Sequence, residues 1–252
     1  ESVRIKKTWY FHDSIEVEEG HTGRYGAPGM PRVKRRKATQ EEIERQNQKN
    51  REKKVRRLIK ENFGRNDTWA TVTYQKGKRP SAEEMRKDMS KTIRKLRQEY
   101  RRHGKELKYI LRMAIGEKGG PHIHILLNRI SGEGYGTDTI LSECWEKGHI
   151  NYKPLYEAGG YKDLAEYITK PLEEWELETL KRYTRSRNLV EPKPKVKKWR
   201  GRKWREAKAP KGWYIDKESM VEGINPITGK KYRHYTMFRL QPERKGRKRC
   251  KD

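Results

Sequence analysis

Cysteine is nearly missing from this 252-residue chain: Cys144 and Cys250 stand alone, with no CxxC pair. That excludes a disulfide framework and a cysteine-ligated zinc site, and it is the usage expected of a reduced, cytosolic protein. No apolar run approaches the roughly 20 residues that a membrane span needs, and no apolar N-terminal segment reads as a signal peptide. No Walker A pattern occurs, which excludes a fused P-loop helicase, and no internal repeat is visible. Hydrophobic residues make up only 31% of the chain. That is lean for a single packed globule, so arms outside a modest core are expected.

Positive charge is what the chain has in excess. The 63 Lys+Arg against 35 Asp+Glu give a formal charge of +28 and a pI near 10.0, more than solubility requires. A polyanion is the expected partner, and nucleic acid is favoured over a membrane surface.

The texture changes along the chain. "TWYFHDSIEVEE" offers a strand with Trp9, Tyr10, Ile15 and Val17, before a Gly/Pro-rich stretch that reads as an arm. Thr39 and Glu42 form a capping box that opens a helix toward Asn62. Its middle, "RQNQKNREKK", has nothing apolar to bury, so it is expected to be solvated or laid along DNA. "TWATVTY" (68–74) has the period of a strand. A second capping box, Ser81 with Glu84, starts an amphipathic helix carrying Met85, Met89, Ile93, Leu96 and Tyr100 to about His103, with a basic outer face.

"KYILRMAIGE" (108–117) and "HIHILLN" (122–128) read as an antiparallel hairpin joined by "KGGP". A helix over 139–147, a strand at "HINYKP", and a helix in "GGYKDLAEYITK" ending before Pro171 follow. Another helix, "PLEEWELETLKRYTR", is expected to close the compact part near residue 187. Residues 190–212 read as a basic segment whose Trp199 and Trp204 could stack on unpaired bases, or as a basic linker; residues 212–240 suggest a hairpin around "NPITGK". The expected organisation is a basic arm and helix (1–64), an α+β domain (65–188) with an antiparallel sheet of about five strands and flanking helices, and a basic C-terminal arm with a β-hairpin (189–252).

Residues two apart on a strand share a face, so His122 and His124 present two imidazoles together, while Ile123, Ile125 and Leu127 face the other layer. They can be hydrogen-bonded residues of an ordinary half-buried strand, or two ligands of a metal. If Glu117 sits across the hairpin from His122, it adds a carboxylate, and that set with open positions suits Mn²⁺ or Mg²⁺. Tyr167 and Lys170, three apart, share a helical face. A phenol needs a cation or metal-bound phosphate nearby to act as a nucleophile, and Lys170 can supply one. Tyr161 falls off that face.

Taken in order, "TWATVTY", "PHIHILLN" and Tyr167-Ile-Thr-Lys170 resemble the motifs of the HUH endonucleases, in particular the rolling-circle replication initiators (Rep proteins) of plasmids and phages. The resemblance covers about residues 65–185. It implies a ferredoxin-like or RRM-like palm, metal-dependent nicking of single-stranded DNA at a replication origin, a 5′-phosphotyrosyl intermediate on Tyr167, and His122, His124 and Glu117 as metal ligands. A host helicase and polymerase are implied partners. A transposase or mobilisation relaxase with the same chemistry, and a non-catalytic nucleic-acid-binding protein with an RRM-like core, are the alternatives.

Overall fold

The computed structural model describes residues 3–22, 37–116, 120–155, 158–172, 180–200, 204–225 and 230–240. In chain order these form β1 (Val3–Tyr10), β2 (Ser14–Thr22), α1 (Gln40–Asn62), β3 (Thr68–Thr73), α2 (Ala82–Arg102), β4 (Tyr109–Ile115) and β5 (Pro121–Leu127). There follow a small hairpin of β6 (Ser131–Gly132) and β7 (Tyr135–Gly136), then α3 (Thr137–Cys144), β8 (Ile150–Pro154) and α4 (Lys162–Thr169). The chain ends with β9 (Thr184–Arg185), β10 (Lys195–Arg200), β11 (Trp213–Ile215), β12 (Val221–Ile224) and β13 (Lys231–Arg239). The architecture is α+β, with antiparallel sheets of five and six strands. Among the described residues, no helix is long and apolar enough to cross a membrane.

The chain divides into two compact units, Glu44–Glu191 and Glu1–Ile43 with Pro192–Asp252. In the first, the sheet runs β8-β3-β5-β4-β9, with β5 at its centre. Strict alternation in β5 sorts its side chains. Ile123, Ile125 and Leu127 pack with Met85, Met89, Ile93, Leu96 and Tyr100 of α2 and with Ile140 and Leu141 of α3. On the reverse face, Leu126 packs with Ile110, with Val55, Leu58 and Ile59 of α1, and with Ala165 and Ile168 of α4. Each fully buried aliphatic side chain contributes roughly 1.5–3 kcal/mol of burial, so both faces are secured by apolar packing. Both expected capping boxes form: the Glu84 amide donates to Ser81 Oγ and the Ser81 amide to Glu84 Oε2, and Thr39 and Glu42 repeat the pattern.

Three expectations need correction. The helix opened by Thr39 is more than a solvated arm: its last turns bury Val55, Leu58 and Ile59, and from Glu44 it belongs to the unit of the five-stranded sheet. The helix expected to run to residue 185 does not do so. Thr184 and Arg185 form the edge strand β9 on β4, where the Ser186 amide donates to the Tyr109 carbonyl and Ser186 Oγ accepts from the Tyr109 amide. An unpaired sheet edge satisfies those backbone groups better than a helical end. The middle of that expected helix (173–179), the "GRYGAPGMPR" arm and the tip of the "NPITGK" turn lie outside the described residues.

The third correction concerns the terminal arms. They join in one antiparallel sheet, β10-β1-β2-β13-β11, with β12 on β13; the expected C-terminal hairpin is the β12–β13 pair. Trp204 is not a free stacking platform. Its indole N–H donates to His21 Nε2 at 3.2 Å, and the cations of Arg4, Lys231 and Arg233 sit 4.7, 5.2 and 5.3 Å from its ring centre. Buried Glu19 draws the two arginines in, at 3.0 Å to Arg4 and 2.6 Å to Arg233, and the electron-rich ring shares in balancing their charge.

Candidate active site

Three strands of the five-stranded sheet carry the site in one row. Thr71 on β3 and Arg112 on β4 flank His124 on β5 in register, so all three side chains leave the same face. The next row places Thr73 and Ala114 beside His122. The two imidazoles stand 4.9 Å apart, ring planes at 87°. His122 Nδ1 bonds the Gly120 carbonyl at 3.0 Å, which requires Nδ1–H and leaves the Nε2 lone pair open. His124 Nδ1 meets Thr71 Oγ1 at 3.0 Å, and Nε2 meets the Tyr167 hydroxyl at 2.5 Å. With Nδ1–H donating to Thr71, the Tyr167 O–H donates to Nε2. Trp69, two residues before Thr71, stacks on His124 at 5.4 Å and 10° and meets Tyr167 edge-on at 6.4 Å.

Burial, then the neighbouring His122, Arg112 and Lys153, push the His124 pKa down to about 4. The imidazole is therefore neutral near pH 7, the state that a metal ligand must have. Each histidine is held by a partner on Nδ1 with Nε2 directed onward, the arrangement that fixes ring orientation in metal sites. Both residues thus suit a divalent ion. Glu117 lies outside the described residues, and among those described no group of three His, Cys, Asp or Glu side chains converges on a metal position.

Tyr167 is delivered by the last turn of α4, and that turn is tied down from below. Arg112 is 4% exposed, and it donates to the carbonyls of Ile168 at 3.2 Å and Lys170 at 2.6 Å. These are carbonyls that a helix end leaves without partners, and they carry the negative end of its dipole. From α1, Gln48 Nε2 donates to the Thr169 carbonyl at 3.0 Å, while Arg182 donates to Gln48 Oε1 at 2.9 Å. Lys170 closes the helix with φ −44° and ψ 136°. The near-helical φ keeps its Cβ on the Tyr167 side, and the extended ψ is the conformation demanded before proline.

Exposure separates the two tyrosines of this segment. Tyr167 is 39% exposed, whereas Tyr161 is 4% exposed and packs in the apolar cluster with Ile168 and Val55. Tyr161 also holds a left-handed backbone, φ 62° and ψ 24°, which turns the chain into α4 at some conformational cost.

His122, His124 and Tyr167 were legible in the sequence; Thr71, Trp69 and Arg112 were not singled out. Arg112 did leave a trace, as the lone charge inside the apolar run "YILRMAI". A buried arginine in a strand core needs a dedicated set of acceptors.

Residues 67–172, which contain the side chains of Trp69, Thr71, Arg112, His122, His124 and Tyr167, match the family model of replication-associated proteins of the ORF2 and gene 2 protein type. This part of the chain is therefore similar to replication-associated proteins. No curated protein and no solved structure matches the chain.

Proposed function

We propose that the protein initiates rolling-circle DNA replication by nicking and rejoining single-stranded DNA through Tyr167. The observation that carries this reading is the Tyr167 hydroxyl on Nε2 of His124, beside a second histidine on the same sheet face, within a region that matches replication-associated proteins. In the reaction, the Tyr167 oxygen attacks a phosphorus of the strand and the bond from phosphorus to the 3′-oxygen breaks. The phenol proton leaves to solvent or a nearby base, the departing 3′-oxygen takes up a proton, and the products are a 5′-phosphotyrosyl link and a free 3′-OH. Attack by a 3′-OH on that link runs the same steps backward and rejoins the strand.

A divalent ion, Mn²⁺ or Mg²⁺, held by Nε2 of His122 and His124 with Glu117 as a third donor, would supply Lewis-acid polarisation of the phosphate oxygens. The chain's own part is positional. Arg112 and Gln48 hold the end of α4, Trp69 fixes the His124 ring plane, and Lys170 offers a cation for the phosphate. The 3′-OH released is a primer for a host polymerase, and strand separation falls to a separate helicase.

The test is a 3′-end-labelled single-stranded oligonucleotide from the replicon origin, incubated with Mn²⁺ and resolved on a denaturing gel. Wild type should yield a protein-sized labelled band. Tyr167→Phe, His122→Ala with His124→Ala, and EDTA should each remove it. An adduct that persists in Tyr167→Phe defeats the assignment of the nucleophile. Tight EDTA-resistant binding with no adduct or nick from any origin strand favours a pure nucleic-acid-binding protein.

A further inference from the structure

The face of the sheet turned away from the histidines carries a second feature. A groove of about 540 Å³ runs between α2 and the strands β4 and β9, within the range of ligand clefts. Its floor includes Leu111 and Met113, which alternate with Arg112 and so face opposite to it. Its rim is Arg86, Lys91, Arg94, Arg97 and Lys181, and no Asp or Glu is among its described lining residues.

The other charges of α2 are largely matched. Glu83 pairs with Lys87, Glu99 with Arg102, and Asp88 with Lys147, while Lys95 reaches Glu146. Those carboxylates serve cations outside the groove. None of the five rim cations has an ion pair among the described residues. Like charges around a concave, partly apolar floor repel one another unless an anion sits between them.

We propose that this groove is a second nucleic-acid site, and that it takes an unpaired strand. The rim supplies phosphate partners along one side of α2, from Arg86 to Arg97 about 16 Å of helix. The recessed floor decides the kind of strand. A duplex keeps its bases inside and presents phosphates on a convex surface, so the apolar floor would gain nothing from it; an unpaired base can be buried there. The site lies on the reverse face from Tyr167, and its occupation needs neither metal nor nicking.

The test measures anisotropy of a fluorescein-labelled oligothymidylate of about 20 nucleotides, and of a duplex of equal length, with the full-length protein in EDTA. Arg94→Ala/Arg97→Ala/Lys181→Ala should weaken single-strand binding by about tenfold or more. It should also flatten the dependence of log Kd on log salt by about 2, at ~0.7 for each phosphate left without its cation. Duplex affinity should move less than about twofold. Ser90→Trp, which fills the groove and removes no charge, should weaken the single strand as well. Lys208→Ala/Lys211→Ala/Lys217→Ala, an equal charge loss elsewhere, should have the smaller effect, and Tyr167→Phe should bind as wild type.

Equal losses in the two triple variants would mean that net charge alone drives binding, which overturns the proposal. So would unchanged oligothymidylate affinity accompanied by loss of self-association or of poly-glutamate binding, which would assign the groove to a second copy of the chain or to an acidic peptide. Because no step of the assay requires cleavage, failure here leaves the nicking reading untouched, and failure of nicking leaves this one standing.

Discussion

Ile125 and His124 are chain neighbours on β5 and look out from opposite faces of one sheet. Ile125 is wholly buried, in a layer made almost entirely of aliphatic and aromatic side chains from α2 and α3. His124 sits in a row with Thr71 and Arg112, under a single turn of α4. The same strand therefore serves two ends. One face gains its stability from area removed from water, which tolerates repacking; the other depends on atoms held at particular distances, which does not. Toward the far end of the strand Leu126 restores apolar packing on the histidine face, so the polar patch is confined to the rows of His122 and His124.

The sharpest way to break that symmetry is to truncate each face in turn. Ile125→Ala should cost about 2–5 kcal/mol of folding stability through reduced burial and the cavity left behind. Protein that remains folded should keep its nicking chemistry. His122→Ala, at a half-exposed position on the other face, should cost less than about 1 kcal/mol and abolish metal-dependent nicking. Urea unfolding beside the gel assay reads both. A large stability loss from His122→Ala would mean that this face is also part of the core in the energetic sense, and the division of labour would fail.

Arg112 tests the same comparison at a position where stability and geometry meet. Its guanidinium joins the histidine row to the end of α4, so it should act as a positioning residue for Tyr167. Arg112→Met keeps most of the length of the side chain and loses the donors. Single-turnover nicking should fall by roughly 10–100-fold, the cost of a slightly misplaced reacting group, while oligonucleotide affinity stays within about twofold. Arg112→Lys, which retains one donor group, should recover part of the rate. Loss of affinity in parallel with rate would instead make Arg112 a DNA-binding residue.

What was legible in the sequence follows from how local each signal is. Period-two alternation in "HIHILLN" and the two capping boxes act within a few residues, and they locate β5, α1 and α2 correctly. Tyr167 was legible because α4 is amphipathic and proline marks its end. The role of Arg112 depends on carbonyls nearly sixty residues away, and no local pattern records that. The sheet built from both ends of the chain is a stronger case: β2 pairs with β13 across more than two hundred residues, and the charged sequence of the arms masks an apolar cluster of Ile15, Val17, Tyr235 and Met237. The edge strand β9 reads as helix because "LETLKRYTR" has helical spacing, and the open edge of β4 overrides it.

The smallest expected effect concerns the one lone pair on Nε2 of His124. It faces the Tyr167 hydroxyl, and a nitrogen lone pair serves either a hydrogen bond or a metal ion. Protons do not compete for it near neutral pH, because burial holds the His124 pKa at about 4; the phenol is then the main competitor. A net hydrogen bond is worth about 0.5–1.5 kcal/mol, so Tyr167→Phe should bind Mn²⁺ roughly two- to tenfold more tightly than wild type, by calorimetry or by the loss of free-ion paramagnetic resonance signal. The variant that cannot form the covalent link would then be the better metal binder, which separates ligand from nucleophile on the histidine face. Equal affinity would place the ion away from Nε2 of His124 and leave His122 with its other donors as the metal side of the site.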